Sequence, residues 1–171
     1  MIYRILDFSI LFSFLTSVSA TPSINTSSLI RYTAIADLSA ISYSVTQLGD
    51  TEVPYDNPYW DNHEAGMYVD IIDGTPLFSS RDKYDSDTGW PTFSRPINTN
   101  NILQKTDTTG GIIRTEIKSR RSNSHLGHLF DDGPVIYNGV RYCMNSAALR
   151  FVPLEKMQIE GYVAYMRLFR K

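Results

Sequence analysis

Met67-Tyr-Val-Asp-Ile-Ile72, then Asp73-Gly74, then Thr75-Pro-Leu-Phe78 reads as a strand, a tight turn and a second strand. β-branched and aromatic residues fill both arms, and Asp-Gly supplies the positive φ that short hairpins need. Downstream of this hairpin the β texture continues. Ile112 to Lys118 alternates as a strand should, and Arg141 to Phe151 and Gly161 to Phe169 supply two more. Between them, residues 79–111 are rich in Ser, Asp, Asn, Thr and Gly, around the apolar island Gly89-Trp-Pro-Thr-Phe93. Upstream, Leu38, Ile41, Val45 and Leu48 fall at helical spacing, with Asp37 or Ser39 to cap a helix over 38–47. Pro54, Asn57, Pro58 and Asn62 then break regular structure. The expectation is a mainly β, mostly antiparallel single domain over residues 35–171, with short N-terminal helices. Residues 21–34 are polar and read as a flexible arm.

The first 20 residues have a different character. Met1-Ile-Tyr-Arg4 carries one positive charge, an apolar run Phe8-Ser-Ile-Leu-Phe-Ser-Phe-Leu15 follows, and Val18-Ser19-Ala20 puts small residues where a signal peptidase reads. The run is too short to span a bilayer. The expectation is a signal peptide and an exported, periplasmic or secreted protein with no stable membrane insertion. A frayed apolar helix is the competing reading. Asn25-Thr-Ser27 also fits a glycosylation acceptor, a pattern that arises often by chance.

Composition narrows the function. Of 171 residues, 42% are hydrophobic and 20% charged, as in ordinary globular domains, and the net charge of −2 offers no basic face for nucleic acid. Arg120-Arg121 with Lys118 reads as a solvated strand end. The single cysteine excludes an internal disulfide and any zinc site built from cysteine pairs. A lone thiol sent to an oxidising compartment is a liability unless it is buried or used, which directs attention to Cys143.

Three segments carry the candidate chemistry: Gly89-Trp-Pro-Thr-Phe93, His125-Leu-Gly-His-Leu-Phe-Asp-Asp-Gly-Pro134 and Arg141-Tyr-Cys-Met-Asn-Ser146. Arg141 and Cys143 lie two apart, so a strand points both to one face, and a guanidinium beside a thiol favours the thiolate. His125 and His128 are the residue type that moves protons near pH 7. Each has a plainer reading: a buried small cysteine, histidines capping a loop, a core Trp90, and turn chemistry in Asp-Asp-Gly-Pro.

Together these strings resemble the signature of methionine sulfoxide reductase B. The resemblance extends through Tyr43-Ser-Val-Thr-Gln47, Tyr59-Trp-Asp-Asn-His-Glu-Ala-Gly66 and Pro76-Leu-Phe-Ser-Ser80, covering roughly residues 38–154 in order. It implies two antiparallel β-sheets with short peripheral helices. It also implies reduction of methionine-R-sulfoxide in proteins or peptides with no bound organic cofactor, since separate enzymes serve each epimer. By the same resemblance Cys143 is the nucleophile, flanked by Arg141 and Asn145. Trp90 matches the aromatic wall that receives the sulfoxide's methyl group, His125 and His128 match the histidines lining the pocket near the sulfoxide oxygen, and Asp132 a supporting acid. Because the departing oxygen must be protonated, His128 is expected as the main proton donor with His125 secondary.

The chain departs from the family in two places. Many members hold structural zinc through two cysteine pairs. Asp70, Asp73, Ser119 and Ser122 stand at those positions, so no metal is expected and solvated strand ends are the reading. Thr88 stands where many members keep a resolving cysteine. With no second thiol in the chain, an external one must reduce the sulfenic acid: a thioredoxin-like protein, glutathione or another small thiol. A monomer is expected. The rival classes are a binder of oxidised methionine without turnover, and a cysteine hydrolase.

Overall fold

The computed structural model describes residues 26–170; residues 1–20, expected to be a signal peptide, and Asn25 of the glycosylation-acceptor pattern lie outside the described residues. Among the described residues nine strands form two antiparallel sheets: β1 (Gly66–Asp70), β2 (Pro76–Ser79), β3 (Lys83–Tyr84), β4 (Thr92–Phe93), β5 (Ile102–Asp107), β6 (Arg114–Ser119), β7 (His125–Phe130), β8 (Arg141–Met144) and β9 (Leu149–Pro153). The smaller sheet has the order β2-β1-β9 and the larger β3-β4-β8-β7-β6-β5. The mainly β expectation and the two-sheet architecture implied by the resemblance are both met.

The hairpin expected over Met67–Phe78 is present. Met67 pairs with Ser79 and Tyr68 with Phe78, and Gly74, at φ 70°, closes the turn by donating to the Asp70 carbonyl. Strand β1 is buried on both faces, so its hydrophobic residues run on without alternating. Tyr68 faces the larger sheet, packing with Phe78, Phe93, Ile117, Leu126 and Met144, while Met67 and Val69 face the opposite way onto Val152 and Met157.

That second face explains one correction. The segment expected as a strand at 161–169 is a 3-10 helix, Val163–Phe169. Tyr162, Tyr165, Met166 and Phe169 recur at helical spacing, and they cover the Met67–Val69 face. A second correction concerns Arg141 to Phe151, which is two strands in different sheets. The break at Asn145–Ala148 is held because the Asn145 N–H donates to the Leu126 carbonyl, and the Ser146 and Ala147 N–H groups donate to the Glu52 carboxylate.

The polar stretch 79–111 hides β3, β4 and β5. Strand β5 is an edge strand with Gln104, Lys105 and Thr106 exposed or partly so, so it shows little apolar pattern. Residues 26–34, read as part of a loose arm, belong to helix α1 (Thr26–Ala36), which Arg31 ties down by donating to the Ser122 carbonyl at 2.6 Å. The expected helix over 38–47 is α2 (Ala40–Tyr43), capped by Ser39 and continued as a π-helical turn through Leu48. Its buried face is Ser42, Val45 and Thr46, and Ile41 and Leu48 are exposed.

Candidate active site

Strand β8 alternates as its sequence requires. Tyr142 and Met144 point into the core, which leaves Arg141 and Cys143 on the other face. Cys143 is paired across the sheet with His128 on β7 and with Thr92 on β4.

Two histidines three apart on a regular strand would point to opposite faces. Here a bulge intervenes: Ile117 pairs with Gly127 and Lys118 with His125, leaving Leu126 as the extra residue. His125 and His128 therefore share a face, with ring centroids 5.3 Å apart. The bulge depends on Gly127, at φ 151°, where a Cβ would stand 2.2 Å from the Cys143 carbonyl oxygen.

Each ring is held by its own carboxylate. His128 Nε2 lies 2.8 Å from Asp107 Oδ2, and His125 Nδ1 lies 2.8 Å from Glu116 Oε1. The Thr109 hydroxyl and backbone N–H, with His128, hold the Asp107 carboxyl well below the usual carboxylate range. Arg114 donates to the same Asp107 oxygen at 2.7 Å. His125 is 3% exposed, and burial pushes its pKa down against the pull of Glu116. Its Nε2 has no partner among the described residues. Asp107, Glu116 and Arg114 were missed in the sequence, because the hairpin β5–β6 carries no motif that marks them.

Cys143 opens onto a cavity of about 120 Å³ walled by Trp90, His128, Phe130, Arg114 and Asn145. Trp90 is fixed by donating its indole N–H to the Glu52 carbonyl at 3.1 Å. Asn145 is committed to the scaffold: its Oδ1 accepts from the Glu52 N–H and its Nδ2 donates to the Leu126 carbonyl. Glu52 thus joins Trp90, Asn145 and the β8–β9 break. Its carboxyl is raised by burial, and the Ala147 and Ser146 N–H groups work against that shift. Nothing in Asp50-Thr-Glu-Val-Pro54 signals this role.

Arg141 grips Asp132 in a bidentate pair of 2.7 and 2.8 Å, and its guanidinium lies 4.3 Å over the Phe130 ring. Asp132 therefore supports the site through Arg141. The expectation of a lowered thiol pKa needs correcting. Burial pushes the Cys143 thiol up, and Arg141, Thr88 and Thr92 only partly offset it. The Arg141 guanidinium is itself paired with the Asp132 carboxylate. Thr88 Oγ1 sits 4.0 Å from Cys143 Sγ, so the position expected from the resemblance to match a resolving cysteine borders the thiol.

Asp70, Asp73, Ser119 and Ser122 do come together, but not as solvated strand ends. Asp70 and Ser119 are fully buried, and the Ser122 hydroxyl donates to Asp70 at 2.5 Å, with the Ser124 hydroxyl 2.7 Å from the same Ser122 oxygen. Burial raises the Asp70 carboxyl, with the serine hydroxyls opposing. Two carboxylates and two hydroxyls in such a network do not fit zinc, whose structural sites use thiolates and imidazoles in a closed tetrahedron. Ser122 and Asp70 are joined here by a hydrogen bond, whereas Ser119 Oγ and Asp73 Oδ2 are buried with no hydrogen-bond partner among the described residues.

The chain matches the SelR domain over residues 38–153. It is also 55% identical over 135 residues to a peptide methionine sulfoxide reductase MsrA/MsrB from Vibrio cholerae, covering 79% of this chain and 35% of that protein. The chain therefore spans about a third of the length of this relative. With the matched region containing every strand and the whole cavity around Cys143, the chain belongs to the SelR domain family, the methionine sulfoxide reductases of the B type.

Proposed function

We propose that the protein reduces methionine-R-sulfoxide in proteins or peptides, with Cys143 as the nucleophile. The observation that carries this reading is a single thiol at the floor of an aromatic-walled cavity, directly across from a histidine clamped by an ionised acid. The indole of Trp90 offers the S-methyl group an apolar seat. The Cys143 sulfur attacks the sulfoxide sulfur while one proton is delivered to the oxygen. Oxygen passes to Cys143, giving a sulfenic acid, and the substrate leaves as the thioether. Cysteine sulfur is oxidised by two electrons and substrate sulfur reduced by two.

His128 serves as the proton donor. Its Nε2 faces Asp107, which leaves Nδ1 for the sulfoxide oxygen, and the ionised acid stabilises positive charge on the ring. His125, behind it, is a secondary group. Arg141 and the Thr88 and Thr92 hydroxyls favour the thiolate as it forms. Two external thiols complete the cycle. The first displaces water to give a mixed disulfide, and the second releases Cys143. A thioredoxin-like protein, glutathione or another small thiol would serve. The export reading of residues 1–20 places the protein in the periplasm or outside the cell, away from the cytosolic thioredoxin supply, and the protein acts as a monomer.

The test is reduction of separated R and S epimers of blocked methionine sulfoxide by residues 21–171 with excess dithiothreitol, beside Cys143→Ser. Turnover of R alone, lost in the variant, is expected. Failure to turn over either epimer by folded protein would instead support a binder of oxidised methionine.

A further inference from the structure

Behind Trp90 lies a second cavity of about 160 Å³. Trp90 is the shared wall: one side faces Cys143, and the other faces Tyr55 and Trp60, which meet edge to face at 5.3 Å. Three carboxylates, Asp61, Asp85 and Asp87, line the same cleft, all on exposed residues, and no Lys or Arg is among the lining residues. Lys83 lies beside Asp61 and Asp85, but its Nζ donates to the Trp60 carbonyl at 3.0 Å. His63 stands 4.0 Å from Asp85. One ammonium against three carboxylates leaves the cleft negative.

Aromatic faces rimmed by carboxylates suit one kind of side chain: a long apolar stem ending in a cation. We infer that this cleft is a substrate subsite that takes a lysine or arginine next to the oxidised methionine. The inference rests on the reductase reading and names its substrate class, peptides in which the sulfoxide has a basic neighbour. With the sulfoxide on Cys143, a residue or two of extended chain spans the width of one indole, since each residue advances about 3.3 Å. The subsite would set affinity and leave the sulfur chemistry alone.

The experiment uses peptides identical except for Lys, norleucine or Glu at the positions flanking methionine-R-sulfoxide. Dissociation constants are read from tryptophan fluorescence on the full chain carrying Cys143→Ser, and kcat/KM on the natural protein. The lysine peptide is expected to bind about tenfold more tightly than the norleucine peptide at low salt, a cation–π contact and an exposed ion pair together supplying that factor. The glutamate peptide should be weakest, and high salt should shrink the spread. In the triple variant Asp61→Asn, Asp85→Asn, Asp87→Asn the lysine-to-norleucine ratio should fall to about one. Equal binding of lysine and norleucine peptides, or a ratio that survives the triple variant, overturns the subsite. Loss of turnover on every R-sulfoxide with the binding ratio intact would sink the reductase reading and keep the subsite.

Discussion

Replacing Gly127 with alanine should damage fold and chemistry together, and by an amount that the bulge geometry sets. The residue sits at φ 151°, and an added Cβ would lie 2.2 Å from the Cys143 carbonyl oxygen and 2.9 Å from Met144 Cα. Ordinary contact begins near 3.4 Å, so strands β7 and β8 must part by about 1 Å at the pairing that puts His128 opposite Cys143. Backbone strain costs about 1–3 kcal/mol and forced overpacking about 1–3 more. A total of about 4 kcal/mol corresponds to a melting temperature lower by about 8–16 °C for a domain of this size. A displacement of about 1 Å between reacting groups costs roughly 100-fold in kcat. Gly49→Ala is the control, because its φ is 80° and nothing lies within 4 Å of the added carbon. It should cost about 1 kcal/mol of conformational strain and leave kcat alone. The assay is thermal unfolding by circular dichroism with kcat on blocked R-sulfoxide. A Gly127→Ala protein that melts and turns over like the Gly49→Ala control would refute the account of the bulge.

Thr88→Cys, at a position whose hydroxyl lies 4.0 Å from the Cys143 sulfur, should let one round of substrate without reductant end in an internal disulfide. Intact mass would then fall by two hydrogens, where the natural protein gains one oxygen; a retained oxygen in the variant would contradict the placement of Thr88. His128→Gln should lower kcat by about 100- to 10,000-fold, with far less effect from Glu116→Gln, and equal losses would argue against His128 as the donor. Because burial holds the Cys143 thiol above its ordinary range, its alkylation by iodoacetamide should keep accelerating at pH values where a free thiol has levelled off. Arg141→Met should move that rise further alkaline, and no movement would remove Arg141 from thiolate stabilisation. For Asp70, burial raises the folded carboxyl above its unfolded value. Its contribution to stability is then present at low pH and is lost as pH rises through the folded value. Asp70→Asn should flatten that dependence in urea titrations from pH 4 to 8, and an unchanged slope would show that Asp70 is not its source.

The hairpin at Met67–Phe78, the strand at 112–118 and the alternation that puts Arg141 and Cys143 on one face were legible because each depends on local pattern and turn chemistry. Elements whose pattern is set by distant packing were not. Strand β5 reads as loop because an edge strand keeps polar residues. The segment 161–169 reads as strand because its helical face exists only against Met67 and Val69.

The site divides in the same way. Sequence by itself determined the residue types available for chemistry: one thiol, two histidines, an indole, and no thiolate set for zinc. Tertiary structure alone decided how they are arranged. The bulge at Leu126 brings both histidines to one face, and Asp107 and Glu116 arrive from a neighbouring hairpin to hold them. Burial then outweighs Arg141 at the Cys143 thiol. The reason is physical: residue identity and local periodicity are properties of the chain, whereas desolvation and cross-strand partners exist only once the sheets have closed over the site.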